Sequence, residues 1–171
     1  MMQRAWSTSL IGLVFLTGVC AASAEWKEEV TVDRLTGKRT TTMTNAALNS
    51  ARQFSRKVSA TLVLRCVETP GRTKHPSAEI IFSERVATDA VRAKYRLDND
   101  PIQRNKMASV QNDGAALGLG WTEFISRLPS SSILRIEFSL PWAGDALIEF
   151  DMSGASEAFS RIPCIRSRTQ L

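Results

Sequence analysis

The run VRAKYRLD alternates apolar Val91, Ala93, Tyr95 and Leu97 with charged Arg92, Lys94, Arg96 and Asp98. Successive side chains of a strand point to opposite faces, so this pattern sets one face against a core and the other in water. The same period returns in SSILRIEFSLPW, where Leu134, Ile136, Phe138 and Leu140 alternate with Arg135, Glu137 and Ser139, and again in DALIEFDM with Ala146, Ile148 and Phe150. Strands with one wet face belong to antiparallel sheets, because parallel strands are covered on both sides. ATLVLRC and SAEIIFSERV read as two more strands, antiparallel neighbours joined by a turn that contains Pro70, Gly71, His75 and Pro76.

Turn chemistry divides the rest of the chain. Asp98, Asn99, Asp100 and Pro101 stop the alternating strand, since Asp and Asn bond back to their own backbone and proline cannot continue a ladder. Asn112, Asp113 and Gly114 mark a hairpin, residues 141–145 mark another, and Thr36, Gly37 and Lys38 mark a third between polar strands near the start. Helical spacing shows in two places only. Trp121, Phe124, Ile125 and Leu128 recur at helical intervals before Pro129, and Ala155, Ala158, Phe159 and Ile162 do so before Pro163 and Cys164. The segment AALNSARQFSRKVSA shows neither pattern and reads as a short helix or a loop. Strands do not alternate regularly with helices, so the expected fold is mainly β: an antiparallel β-sandwich, or a β-rich α+β domain, with two short helices.

The first residues, MMQRAWSTSLIGLVFLTGVCAASAEW, join a positive start at Arg4 to an apolar run and to the small-x-small pattern of Ala22, Ser23 and Ala24. This is the layout of a cleavable export signal over residues 1–24, too short in its apolar run to span a bilayer. Cleavage after Ala24 leaves one β-rich domain, residues 25–171, in the periplasm with no stable membrane span. Cys20 departs with the signal, and an exported chain that keeps Cys66 and Cys164 is expected to join them in one disulfide. Closing a loop of about 100 residues is worth on the order of 4 to 5 kcal/mol by chain entropy.

The formal net charge of +5 is spread as single arginines among acids, a pattern that suits anionic envelope partners or a solvated surface better than nucleic acid. His75 is the single histidine, so a nucleophile would have to find its base there, and a metal site would lack nitrogen ligands. No glycine-rich phosphate loop is present, and neither a metal nor a cofactor is expected. Two facing carboxylates could serve a glycosidase, and Asp98, Asp100, Asp113, Glu123, Glu137, Glu149 and Asp151 are the acids available for it. Trp142, beside Gly144 at a hairpin tip, is either a partner contact or a lid over the end of the sheet.

The segments TLVLRC, AEIIF, VRAKYRLDNDP, SVQNDGAAL, FISRLPSSSILRI and FDMSGASEAFSRIPC, in this order, resemble the type VI secretion-associated TagO/VasI family. The resemblance covers about two thirds of the mature chain, with Trp26 as the suggestive residue upstream. It differs at Met107 and at Ile165 with Arg166, where that family usually carries tryptophan. It implies a small, non-enzymatic periplasmic accessory protein that binds envelope or secretion-system proteins. In it Arg96 and Asp98 form a pair that fixes the turn by a charge-assisted hydrogen bond. An immunity-type inhibitor of a periplasmic toxin would share the export signal, the small size and the disulfide, and an envelope-polymer hydrolase is the enzymatic rival.

Overall fold

A computed structural model describes residues 25–53, 56–71, 75–85, 91–111, 115–119, 122–140 and 144–166. The chain is mainly antiparallel β. The strands are β1 (Lys27–Val32), β2 (Arg39–Ala46), β3 (Ala51–Gln53), β4 (Arg56–Val58), β5 (Ala60–Glu68), β6 (His75–Phe82), β7 (Val91–Leu97), β8 (Gln103–Gln111), β9 (Ala116–Gly118), β10 (Ile133–Leu140) and β11 (Gly144–Asp151). Nine of them form one sheet in the order β1-β2-β5-β6-β9-β8-β7-β10-β11, and β3 pairs with β4 in a separate hairpin. Every pairing is antiparallel.

The alternation read from the sequence is the alternation of burial. Val91, Ala93, Tyr95 and Leu97 of β7, Leu134, Ile136 and Phe138 of β10, and Ala146, Ile148 and Phe150 of β11 are buried. They share one core with Met43 of β2, Leu62, Leu64 and Cys66 of β5, and Ala78, Ile80 and Phe82 of β6. One continuous core from β2 to β11, which also touch each other, means that the sheet curls round on itself.

The curl is completed by polar groups. Residues 45–49, the end of β2 and the residues after it, run beside the outer edge of β11 and satisfy it: Leu48 N–H donates to the Glu149 carbonyl at 2.8 Å, and Glu149 N–H donates to Asn49 Oδ1 at 2.9 Å. Asn49 Nδ2 donates to the Leu147 carbonyl at 2.9 Å, and buried Asn45 donates to the Asp151 carbonyl at 2.6 Å. Side-chain amides thus stand in for a neighbouring strand, and β11 is not left as an open edge.

Both ends of the curled sheet are closed. At one end lie α1 (Thr122–Arg127) with the 3-10 turn Leu128–Ser130, α2 (Ala155–Ser160) and α3 (Pro163–Arg166). They bury Phe124, Leu128, Ala158, Phe159 and Ile162, with Tyr95 edge-on to Phe124 at 4.8 Å. Trp26 covers this end, edge-on to Phe159 at 5.9 Å, and its indole N–H donates to the Ser153 carbonyl. Gly154, in the left-handed region at φ 76°, makes the tight entry into α2 beneath the Trp26 ring. At the opposite end the β3–β4 hairpin inserts Ala51 and Val58 into the core.

Several expectations change in detail. The helices number three rather than two among the described residues, because Pro163 opens α3 instead of ending the chain's helical part. Proline suits the first turn of a helix, where its missing N–H is not needed. The unpatterned segment after residue 46 supplies β3 and β4 rather than a helix or loop. His75 is the first residue of β6, paired with Val67, and not part of the turn. The hairpin signal at residues 112–114 lies outside the described residues, although β8 and β9 on either side of it pair antiparallel.

The Cys66–Cys164 disulfide forms, with a Cα separation of 5.7 Å, and both residues are buried. It ties α3 to β5, so the helical cap is held to the sheet by a covalent link. The double variant Cys66→Ser, Cys164→Ser is expected to lose about 4 kcal/mol of stability in urea unfolding. A loss below about 1 kcal/mol would mean that packing alone holds the cap.

Candidate functional site

The outer face of β7, β10 and β11 carries the side chains that alternate with the core. Lys94, Arg96, Ile102, Arg104, Arg135, Glu137 and Leu147 line a groove of about 380 Å³ there. Register explains the grouping: Arg96 of β7 lies directly opposite Arg135 of β10, and Lys94 lies opposite Glu137. On the far side of β10, Glu137 is opposite Leu147 and Arg135 is opposite Glu149. A bulge between Ala93 and Tyr95 interrupts the pairing of β7 with β8 at the groove's other wall. Bulges re-aim side chains in this way.

The charges do not cancel. Lys94 Nζ meets Glu137 Oε1 at 2.5 Å, and Arg135 Nε meets Glu149 Oε1 at 2.6 Å. Among the described residues no carboxylate lies within ion-pair distance of Arg96 or Arg104, which leaves two guanidinium groups over. Like charges directly opposite in a ladder oppose pairing, so the Arg96 and Arg135 row is held against a local electrostatic cost. Ile102 and Leu147, each 47 % exposed, add apolar surface to the same groove.

Asp98 sets the position of this face. It has φ 47°, a left-handed conformation that Asp tolerates better than most residues. Its Oδ1 accepts the N–H groups of Ser132 at 2.9 Å and Ile133 at 2.8 Å, and its own N–H donates to the Ile133 carbonyl at 2.9 Å. The end of β7 is thereby clamped to the start of β10. Arg135 reaches back to the Asp98 carbonyl at 3.4 Å, joining clamp and groove. Asp100, next along the turn, pairs with Arg127 and so fastens α1 to the same corner. Behind it, burial pushes the Tyr95 phenol above its ordinary pKa, with nearby Arg127 pulling it back and Glu123 adding to the rise.

The expected Arg96 and Asp98 pair therefore divides. Among the described residues no ion pair joins them: Asp98 holds the turn through backbone amides, and half-buried Arg96 faces the groove. The register with Arg135 is what separates their tasks, and that register is not visible in the local sequence. Trp142 and Asp113 lie outside the described residues. The remaining acids that could have formed a carboxylate pair are dispersed: Glu137 and Glu149 are each bound to a cation, Asp151 Oδ1 accepts the Ser153 N–H, and Glu123 is exposed on α1. Among the described residues no group of three or more metal-binding side chains is assembled.

Replacing Asp98 separates its clamp role from simple surface charge. Asp98→Ala leaves two strand-end N–H donors without their acceptor and is expected to cost about 3 kcal/mol, whereas Asp98→Asn, which keeps an acceptor oxygen, costs about 1 kcal/mol. Urea unfolding measures both, and an Asp98→Ala protein as stable as the parent would contradict the clamp.

No family model, curated protein or solved structure matches the chain.

Proposed function

We infer that the chain is a non-enzymatic periplasmic binding domain, an accessory protein of the kind found in the type VI secretion-associated TagO/VasI family. The observation that carries this reading is the groove. Arg96 and Arg104 lack carboxylate partners among the described residues, and they stand beside exposed Ile102 and Leu147. A guanidinium left over in this way has donors arranged to take a carboxylate in two hydrogen bonds. The adjoining apolar side chains favour a protein partner over a free anion, since interfaces combine arginine with apolar contact. The carboxylates nearest the groove are bound to Lys94 and Arg135, which favours a structural role for them over proton transfer.

On this reading the domain is exported by its N-terminal signal and holds an acidic patch of an envelope or secretion-system protein. In-cell crosslinking and affinity recovery of the tagged protein should retrieve such a partner. The double variant Arg96→Glu, Arg104→Glu should recover at least about tenfold less of it, with unfolding unchanged, because the reversed charges repel the patch. Recovery of one stoichiometric toxin would make the domain an inhibitor instead. Undiminished recovery by the double variant would remove the groove from the account.

A further inference from the structure

The sheet has two edges, and among the described residues only the β11 edge has its backbone groups covered. β1 pairs with β2 on one side, and every residue of β1 is exposed, including Val30 and Val32. Asp33 N–H donates to the Lys38 carbonyl, which fixes the parity of the ladder. Residues 27, 29 and 31 therefore point their backbone groups at β2, while Glu28, Val30 and Val32 point theirs away from it. The free edge offers a donor and an acceptor at each of these three residues.

We propose that β1 pairs antiparallel with β1 of a second copy of this chain, on a two-fold axis at Val30. In that register Val30 faces Val30, and Glu28 faces the second copy's Val32, so all three residues of the free edge find partners. Lys27 falls opposite the second copy's Asp33, and Glu29 falls opposite its Thr31. Two opposite-charge pairs form and no like charges meet. Sliding the strands by two residues, the smallest slip that keeps the hydrogen bonds, sets Glu29 against Glu29 in one direction and against Asp33 in the other. The edge is thus free of like-charge pairs in one register and sets acids opposite each other in the neighbouring ones. Asp33 keeps its charge for this contact. Its carboxyl is held below the usual carboxylate range by the Thr36 hydroxyl, then by the N–H groups of Leu35 and Thr36, with Lys38 adding to the effect.

This pairing also brings apolar surface together. Val30 and Val32 share the face of β2 that carries Thr41 and Met43, and the axis places the valines of both copies side by side. A partner with an unrelated strand would gain the hydrogen bonds but not the match of Lys27 to Asp33, which is why a second copy is the occupant the edge fits best.

Sedimentation equilibrium of the chain beginning at Glu25 tests it. The expected mass is about twice that of the monomer at high protein concentration, falling to the monomer on dilution. Val30→Pro removes the donor on the axis without touching the β1–β2 ladder, and Lys27→Glu sets like charges opposite at both ends. Each should shift the dimer dissociation constant upward by about tenfold or more. Lys27 is exposed, so Lys27→Glu reads the interface even if the proline variant folds poorly. A monomer at every concentration overturns the proposal and leaves the edge to a strand from another protein. A dimer indifferent to Lys27→Glu overturns it as well, because the contact then lies elsewhere.

Discussion

Unpaired backbone at the edge of a sheet is the constraint around which this molecule is organised. A nine-stranded sheet has two edge strands, and each would carry a row of donors and acceptors open to any other extended chain. At β11 the row is filled from within by Asn45, Leu48 and Asn49. Once that edge is held against residues 45–49, the sheet has to curl, and its inward side chains have to meet in one core. The helices and the β3–β4 hairpin then become necessary as plugs for the two ends, and the disulfide fixes one of those plugs. At β1, among the described residues, the row stays open.

Curling also separates two kinds of surface along the same strands. In β7 the inward residues build the core with Phe124 and Phe138, while Lys94 and Arg96 one residue away face the groove. The corner at Asp98 serves both surfaces. By bonding the amides of Ser132 and Ile133 it sets the register of β7 on β10, and that register brings Arg96 opposite Arg135. A stability element therefore creates the electrostatic mismatch found in the groove. Two ion pairs neutralise Lys94 and Arg135, and the remainder of positive charge is concentrated where Ile102 and Leu147 are exposed.

The sequence was legible wherever burial follows a local period. The strands around Tyr95, Ile136 and Ile148, the helix around Phe124, the disulfide and the antiparallel β class could all be read from it. It was silent where structure depends on partners far along the chain. Asn49 and Glu149 stand 100 residues apart, and neither residue type announces an edge cap. Ala51 and Val58 are isolated apolar residues, too few to show a period, although the core needs both. Arg96 and Asp98 were recognisable as notable neighbours. That one would clamp backbone and the other face Arg135 follows only from strand register, which is fixed by the packing of the whole sheet.

Site-resolved amide hydrogen exchange by NMR tests most directly whether one edge is closed from within and the other left open. The N–H groups of Leu48 and Glu149 are bonded across the seam, and in dilute protein they should exchange as slowly as those of the interior strands, while the N–H groups of Glu28, Val30 and Val32 exchange rapidly. If Glu149 exchanged at the rate of Val30 in that sample, the seam at β11 would not exist and the curled sheet described here would be wrong.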